Sequence, residues 1–174
     1  MKVQFLLLPA AVVIAGGPAY AAVYLNVEQA RQLMFPGATF EPVPLTLTDE
    51  QARAIEKASD TNVLNKTLQV WKVSTGGWFI ADQVVGKHEF IPIALALDES
   101  GSVKDVEILE YREAYGDQVR DPQWRAQFNG KHNGSKLTLT DDIQNISGAT
   151  LSSKHITDGV RRLLATYALV IATH

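Results

Sequence analysis

Cysteine is absent from the 174 residues. Disulfides, zinc ribbons, thiolate-ligated iron–sulfur clusters, c-type haem attachment and thiol catalysis are excluded together, so any redox role must rest on another cofactor. A dominant charge is lacking too. Sixteen basic and nineteen acidic side chains leave −3 with no basic block, so nucleic acid is not an expected partner. The four histidines, His88, His132, His155 and His174, form no His-x-x-x-His pair, and no Gly-x-Ser-x-Gly elbow is present. Neither a metal site nor a hydrolase is expected from them. Asp98-Glu99-Ser100-Gly101 lacks the ligand spacing of a calcium loop and reads as a turn. What is present is 46% hydrophobic and 8% aromatic residues against 20% charged, enough for one core. The chain is globular, with one domain and some length to spare.

The spare length lies at the start. Lys2 is the only charge before Glu28, and an apolar run from Phe5 to Ala15 ends in Gly16-Gly17-Pro18, followed by Ala19-Tyr20-Ala21. This is the pattern of a secretory signal peptide cut after Ala21, and the apolar run is short for a membrane span of about 20 residues. Residues 1–21 are therefore expected to be a leader, with membrane anchoring as the alternative if it is uncleaved. A mature chain of 22–174 would carry 15 basic and 19 acidic residues in a periplasmic or other extracytoplasmic compartment. The apolar stretch Leu163 to Ala172 is too short to span and reads as a buried helix face.

Within 22–174 the punctuation predicts alternating element types. Asn26 can cap a helix through Met34, broken by Phe35-Pro36-Gly37, and Thr48-Asp49-Glu50-Gln51 has capping-box form for a helix to about Ala58. From Leu68 the period becomes two. Leu68 to Val73, Trp78 to Val85, Ile91 to Asp98 and Val103 to Glu110 read as strands joined by short turns, hence as antiparallel neighbours. Asp121-Pro122 starts a short helix ended by Gly130, Leu137 to Thr140 reads as a further strand, and a last helix runs from about Ser152 to Ala172. The class is α+β, an antiparallel meander flanked by helices. The organisation is leader 1–21, an N-terminal helical segment 22–65 and a main domain 66–174.

The chemistry centres on Ile143 to Ser153, between the last expected strand and the last helix. Gly148 and Ala149 reduce bulk beside Thr150, and a helix starting just afterwards would aim free amides at that hydroxyl. A phosphoryl group there would meet the positive end of the helix, with Lys154 or His155 adding charge. Alternatively Ser147, Thr150, Ser152 and Ser153 are an ordinary N-cap cluster.

The segment Ser147-Gly148-Ala149-Thr150-Leu151-Ser152 resembles the flavinylation motif of FMN-binding domains. That family includes the flavin-bearing subunits of sodium-pumping NADH:quinone oxidoreductase and its ferredoxin-linked relatives. Glu113-Ala114-Tyr115-Gly116 is similar to the family's Glu-Thr-Pro-Gly turn. Trp124 through Lys131 is similar to its Trp…Gln-Phe-x-Gly-Lys stretch, so the likeness covers roughly Ile91 to Leu169. Two positions depart: Gln144 stands where the family commonly has Asp, and Tyr115 where it has Pro. The resemblance implies covalent FMN on Thr150, attached from FAD by a separate flavin transferase. Gln127 and Lys131 become candidate donors to the flavin ring, and Trp124, Phe128 and Tyr115 candidate cover, with Glu113 and Gly116 beside it. It further implies a redox carrier, not an autonomous enzyme, between a membrane-associated donor and a periplasmic acceptor such as a cytochrome or reductase. A non-redox binding or regulatory module with a degenerate site, and a small periplasmic flavin reductase, are the alternatives.

Overall fold

The computed structural model describes residues 22–173. The expected leader lies outside them. A short strand β1 (Ala22–Val23) precedes α1 (Val27–Met34), β2 (Phe40–Thr46) and α2 (Asp49–Ser59). Strands β3 (Thr67–Val73), β4 (Trp78–Val85), β5 (Phe90–Leu97) and β6 (Val103–Ile108) follow, then β7 (Glu110–Tyr111), α3 (Pro122–Arg125) and α4 (Thr150–Leu169). The main sheet has the order β2-β3-β4-β5-β6, antiparallel throughout, and β1 pairs with β7 in a separate ribbon. The chain is an α+β meander with helices on both faces.

Capping decides where the first two helices start. Asn26 and Thr48 each accept the amide three residues on, and the side chains of Gln29 and Gln51 return the bond, so both are capping boxes. Strand β5 is an interior strand, flanked by β4 and β6 and buried on both faces. Ile91, Ile93, Leu95 and Leu97 meet Ile55 of α2 and Ile156, Val160, Leu163 and Leu164 of α4. On the opposite face Ala94 and Ala96 join Phe79, Ala81 and residues Ala30 and Met34 of α1. Residues 22–65 thus supply β2 to the sheet and α1 and α2 to its two faces, sharing the cores of 66–174.

Two expectations are corrected. Leu137 to Thr140 is not a strand: Leu137 and Thr140 have φ of 44° and 67°, and the only ladder contact is a single bridge from Leu139 to Ile143. Its alternating Leu and Thr residues imitate a strand, but the Asp142 carboxylate ties the segment into a loop by accepting the Leu137 and Thr138 amides at 3.0 and 2.8 Å. The last helix begins at Thr150, two residues early, with Ala149 as N-cap and no side chain capping it, and gives way after Leu169 to a 3₁₀ turn, Ile171–Thr173. Residues Leu163, Leu164 and Ala165 are buried as expected. Among the described residues no helix is long and apolar enough to cross a membrane.

Candidate functional site

The start of α4 is shaped by a turn, Ile146 to Ala149, closed by the Ala149 amide on the Ile146 carbonyl at 3.0 Å. Gly148 occupies its third position at φ +85°, the left-handed conformation that a type II turn requires there. Nothing lies within 4 Å of where its Cβ would be, so backbone conformation, not room beside Thr150, is the reason for glycine. Ala149 is buried, and Thr150 is exposed as the first residue of the helix. The amides of Thr150, Leu151 and Ser152 have no carbonyl one turn back and no side-chain cap, leaving three orphan donors at the positive helix end. Serines 147, 152 and 153 do not cap it.

Those donors border a cleft of about 430 Å³, within the usual range for small-molecule sites. Its walls are Gly148 to Ser152, the Glu113-Ala114-Tyr115 turn after β7, and Lys87 and His88 of the β4–β5 hairpin. Tyr111 joins two of these walls. Its hydroxyl donates to the Tyr115 carbonyl at 2.6 Å, so Ser152 Oγ, 2.8 Å away, donates to it in turn. Burial, partly countered by the Ser152 bond and reinforced by the Glu113 and Asp117 carboxylates, pushes this phenol above its usual 10 and keeps it a donor. Gly116, at φ +102°, lies against the same pair. A methyl there would overlap the Tyr111 hydroxyl and stand 2.9 Å from Ser152 Oγ. Gly148→Ala should therefore cost about 1–2 kcal/mol of stability for its backbone conformation alone. Gly116→Ala should cost about 1–3 kcal/mol more through overpacking. Urea denaturation of the two variants checks the order.

Glu113 lines the cleft and braces its third wall. Its carboxylate accepts the His88 amide at 2.6 Å and the Glu89 amide at 3.0 Å, closing the β4–β5 turn. Burial works to raise its pKa, but the amides of Glu89, His88 and Lys87 outweigh it, and the group is held below the usual 4.5. A carboxyl lowered on folding contributes stability that is complete above its unfolded pKa and is lost as pH falls through its folded one. The melting-temperature gap between wild type and Glu113→Gln should accordingly be open at pH 7 and close progressively below about pH 4.3.

The structure brings Glu113, Tyr115 and residues 148–152 together around the cleft and packs Gly116 against Ser152, while Ser147 lies outside the cleft walls. It places Trp124, Gln127, Phe128 and Lys131 elsewhere: none lines the cleft with Thr150. Phe128 is fully buried, edge-on to Trp124 at 5.3 Å. Trp124 Nε1 donates to the Gln144 carbonyl at 2.7 Å, and Gln127 Oε1 accepts the Gln144 amide at 2.8 Å, so the main chain at 144 is gripped from both sides. Lys131 pairs with Asp142 at 3.0 Å, the residue that organises the preceding loop. These four residues brace the loop that leads into α4. Side-chain cover at the cleft comes from Tyr115, 85% exposed, and Leu151, 49% exposed. Sequence reasoning missed Tyr111, Lys87 and His88, and missed Asn145, whose Nδ2 donates to Thr150 Oγ1 at 3.0 Å. Lys87 and His88 carried only a hairpin-turn signal, and Tyr111 only that of a strand end.

A phosphate suits the uncapped helix start, and a planar aromatic group suits a cleft bordered by Tyr115 and Leu151; the residues present fit FMN. No curated protein matches the chain. Residues 86–165, a span that contains all three walls of the cleft, match the model of the FMN-binding domain. That part of the chain is assigned by this match to the FMN-binding domain family, which supports a flavin-binding protein with FMN as its cofactor.

Proposed function

We propose that this is an exported electron-transfer flavoprotein that carries FMN through a phosphoester on Thr150. The observation that carries the reading is the exposed Thr150 hydroxyl at the first position of an uncapped helix, on the rim of the cleft. In the attachment step Thr150 Oγ1 bonds to the FMN phosphorus of FAD, the phosphoanhydride bond to AMP breaks, and AMP leaves with the electron pair. The hydroxyl proton passes to a base of a metal-dependent flavin transferase. The bound flavin then supplies the electron chemistry. Among this chain's own residues, the Thr150–Ser152 amides would hold the phosphate, and Tyr115 and Leu151 would shield one side of the cleft from water.

A tether matters in an extracytoplasmic compartment, where a dissociated cofactor is not replaced from the internal pool. Export rests on the leader-like residues 1–21. A carrier role draws support from the rim. Val85 and Phe90, paired across the β4–β5 hairpin, are 45% and 49% exposed and flank the turn that walls the cleft. With Tyr115 and Leu151 they leave an apolar margin against which a membrane-associated donor or a periplasmic acceptor can dock transiently.

Co-expression with a flavin transferase should raise the intact mass by one FMN less one water, and the yellow fluorescence should survive a denaturing gel. Unmodified protein recovered from its own periplasm, with the transferase present, would instead favour the non-redox module. Substrate-dependent reoxidation far faster than with generic acceptors would favour the reductase.

A further inference from the structure

Hydroxyls in α4 normally donate backwards. Thr157 Oγ1 gives its proton to the Ser153 carbonyl at 2.7 Å, and Thr166 Oγ1 to the Arg162 carbonyl at 2.9 Å. Thr150 makes no such bond: as the first residue of α4 it has no helical turn before it onto which its hydroxyl could fold back. The bond at Thr150 has the opposite sense: Asn145 Nδ2 donates to Oγ1.

We infer that Asn145 orients the Thr150 oxygen for phosphoryl transfer, an inference that rests on the covalent reading above. The amide occupies one lone pair and fixes the side-chain torsion, so the hydroxyl proton and the second lone pair are turned to solvent and to the incoming phosphorus. As the proton leaves for the transferase's base and the bond to phosphorus forms, negative charge develops on Oγ1. A hydrogen bond donated to that atom strengthens as this happens. Asn145 itself is held steady because the neighbouring Gln144 main chain is gripped by Trp124 and Gln127. The Trp124–Lys131 stretch thereby reaches the reacting atom through one intermediary, without touching the flavin cleft.

The test is a time course of FMN incorporation into the full chain, followed by intact mass with FAD and purified transferase at several acceptor concentrations. Asn145→Ala removes the side-chain donor, and Asn145→Asp removes it while keeping the shape. Both should lower kcat about tenfold, the worth of one hydrogen bond at the reacting oxygen, leave KM for the acceptor unchanged, and lower stability by no more than the loss of that one exposed hydrogen bond. Should Asn145→Ala misfold, Asn145→Asp decides alone. Asn145→Asp at the wild-type rate, or a loss confined to KM, overturns the inference and leaves the covalent assignment standing. A wild-type chain that takes up no FMN overturns both.

Discussion

Replacing Thr150 by alanine should yield a folded, colourless protein. Thr150 is exposed and its side chain takes part in a single hydrogen bond, the one from Asn145. Losing that bond costs about 0.5–1.5 kcal/mol, and the better helix propensity of alanine returns about half a kcal/mol. Stability should therefore stay within about 1 kcal/mol of wild type, and loss of flavin cannot be blamed on unfolding. Nor can the phosphoester move next door. Ser153 is fully buried, and Ser152 is buried and engaged with Tyr111. Ser147 is exposed but lies in the preceding turn, outside the residues that wall the cleft. Covalent FMN should fall from full occupancy in wild type to none in Thr150→Ala, persist in Thr150→Ser, and be unaffected in Ser147→Ala. Intact mass and in-gel fluorescence read all three, and a Thr150→Ala chain that stayed equally yellow would remove the assignment.

The elements that were legible in the sequence are those whose signals are local. Asn26 and Thr48 announce their helices because the capping residues stand beside the turn they cap. Strands β3 to β6 lie within one or two residues of the period-two runs, since alternation is a property of the strand itself. Strand β2 was hidden by Pro42 and Pro44. It tolerates them because it is the sheet edge, where a missing amide donor leaves no ladder bond unmade on the open side. Edge position is a tertiary fact that the residues 40–46 cannot announce.

At the site, the segment Ser147 to Ser152 stood out as a string, but the duties of its neighbours did not. Trp124 and Lys131 read as flavin contacts because an aromatic ring and an ammonium suit a flavin. Their partners are a main-chain carbonyl 20 residues away and a carboxylate 11 residues away. Bonds of that kind follow no periodicity. Serines just past Thr150 likewise looked like caps and moved the expected helix start to Ser152. The true start leaves the amides uncapped, a local defect that the phosphate of the proposed site would fill.

Arg162→Ala should produce the largest loss of stability, because α4 is seated by a charge with nowhere else to go. The Arg162 side chain is 4% exposed and its partner Asp82 9%, with 2.7 Å between Nη2 and Oδ2. The same guanidinium donates to the Gln83 carbonyl and to the Asn62 carbonyl, each at 3.0 Å, tying α4 to β4 and to the segment after α2. Truncation strands the Asp82 carboxylate and two carbonyls in a dry setting, a loss of about 3–5 kcal/mol. Asp82→Ala should cost a similar amount by stranding the guanidinium. The double variant should lose clearly less than the sum, since no uncompensated charge is left. Urea denaturation of the four proteins measures this coupling, and additive losses would mean that packing of the arginine stem, not charge pairing, seats the helix. Thr150 lies about 18 Å along α4 from Arg162 at 1.5 Å per residue. Under conditions where Arg162→Ala remains folded, its FMN incorporation should therefore match wild type, which separates the seating of the helix from the presentation of its first hydroxyl.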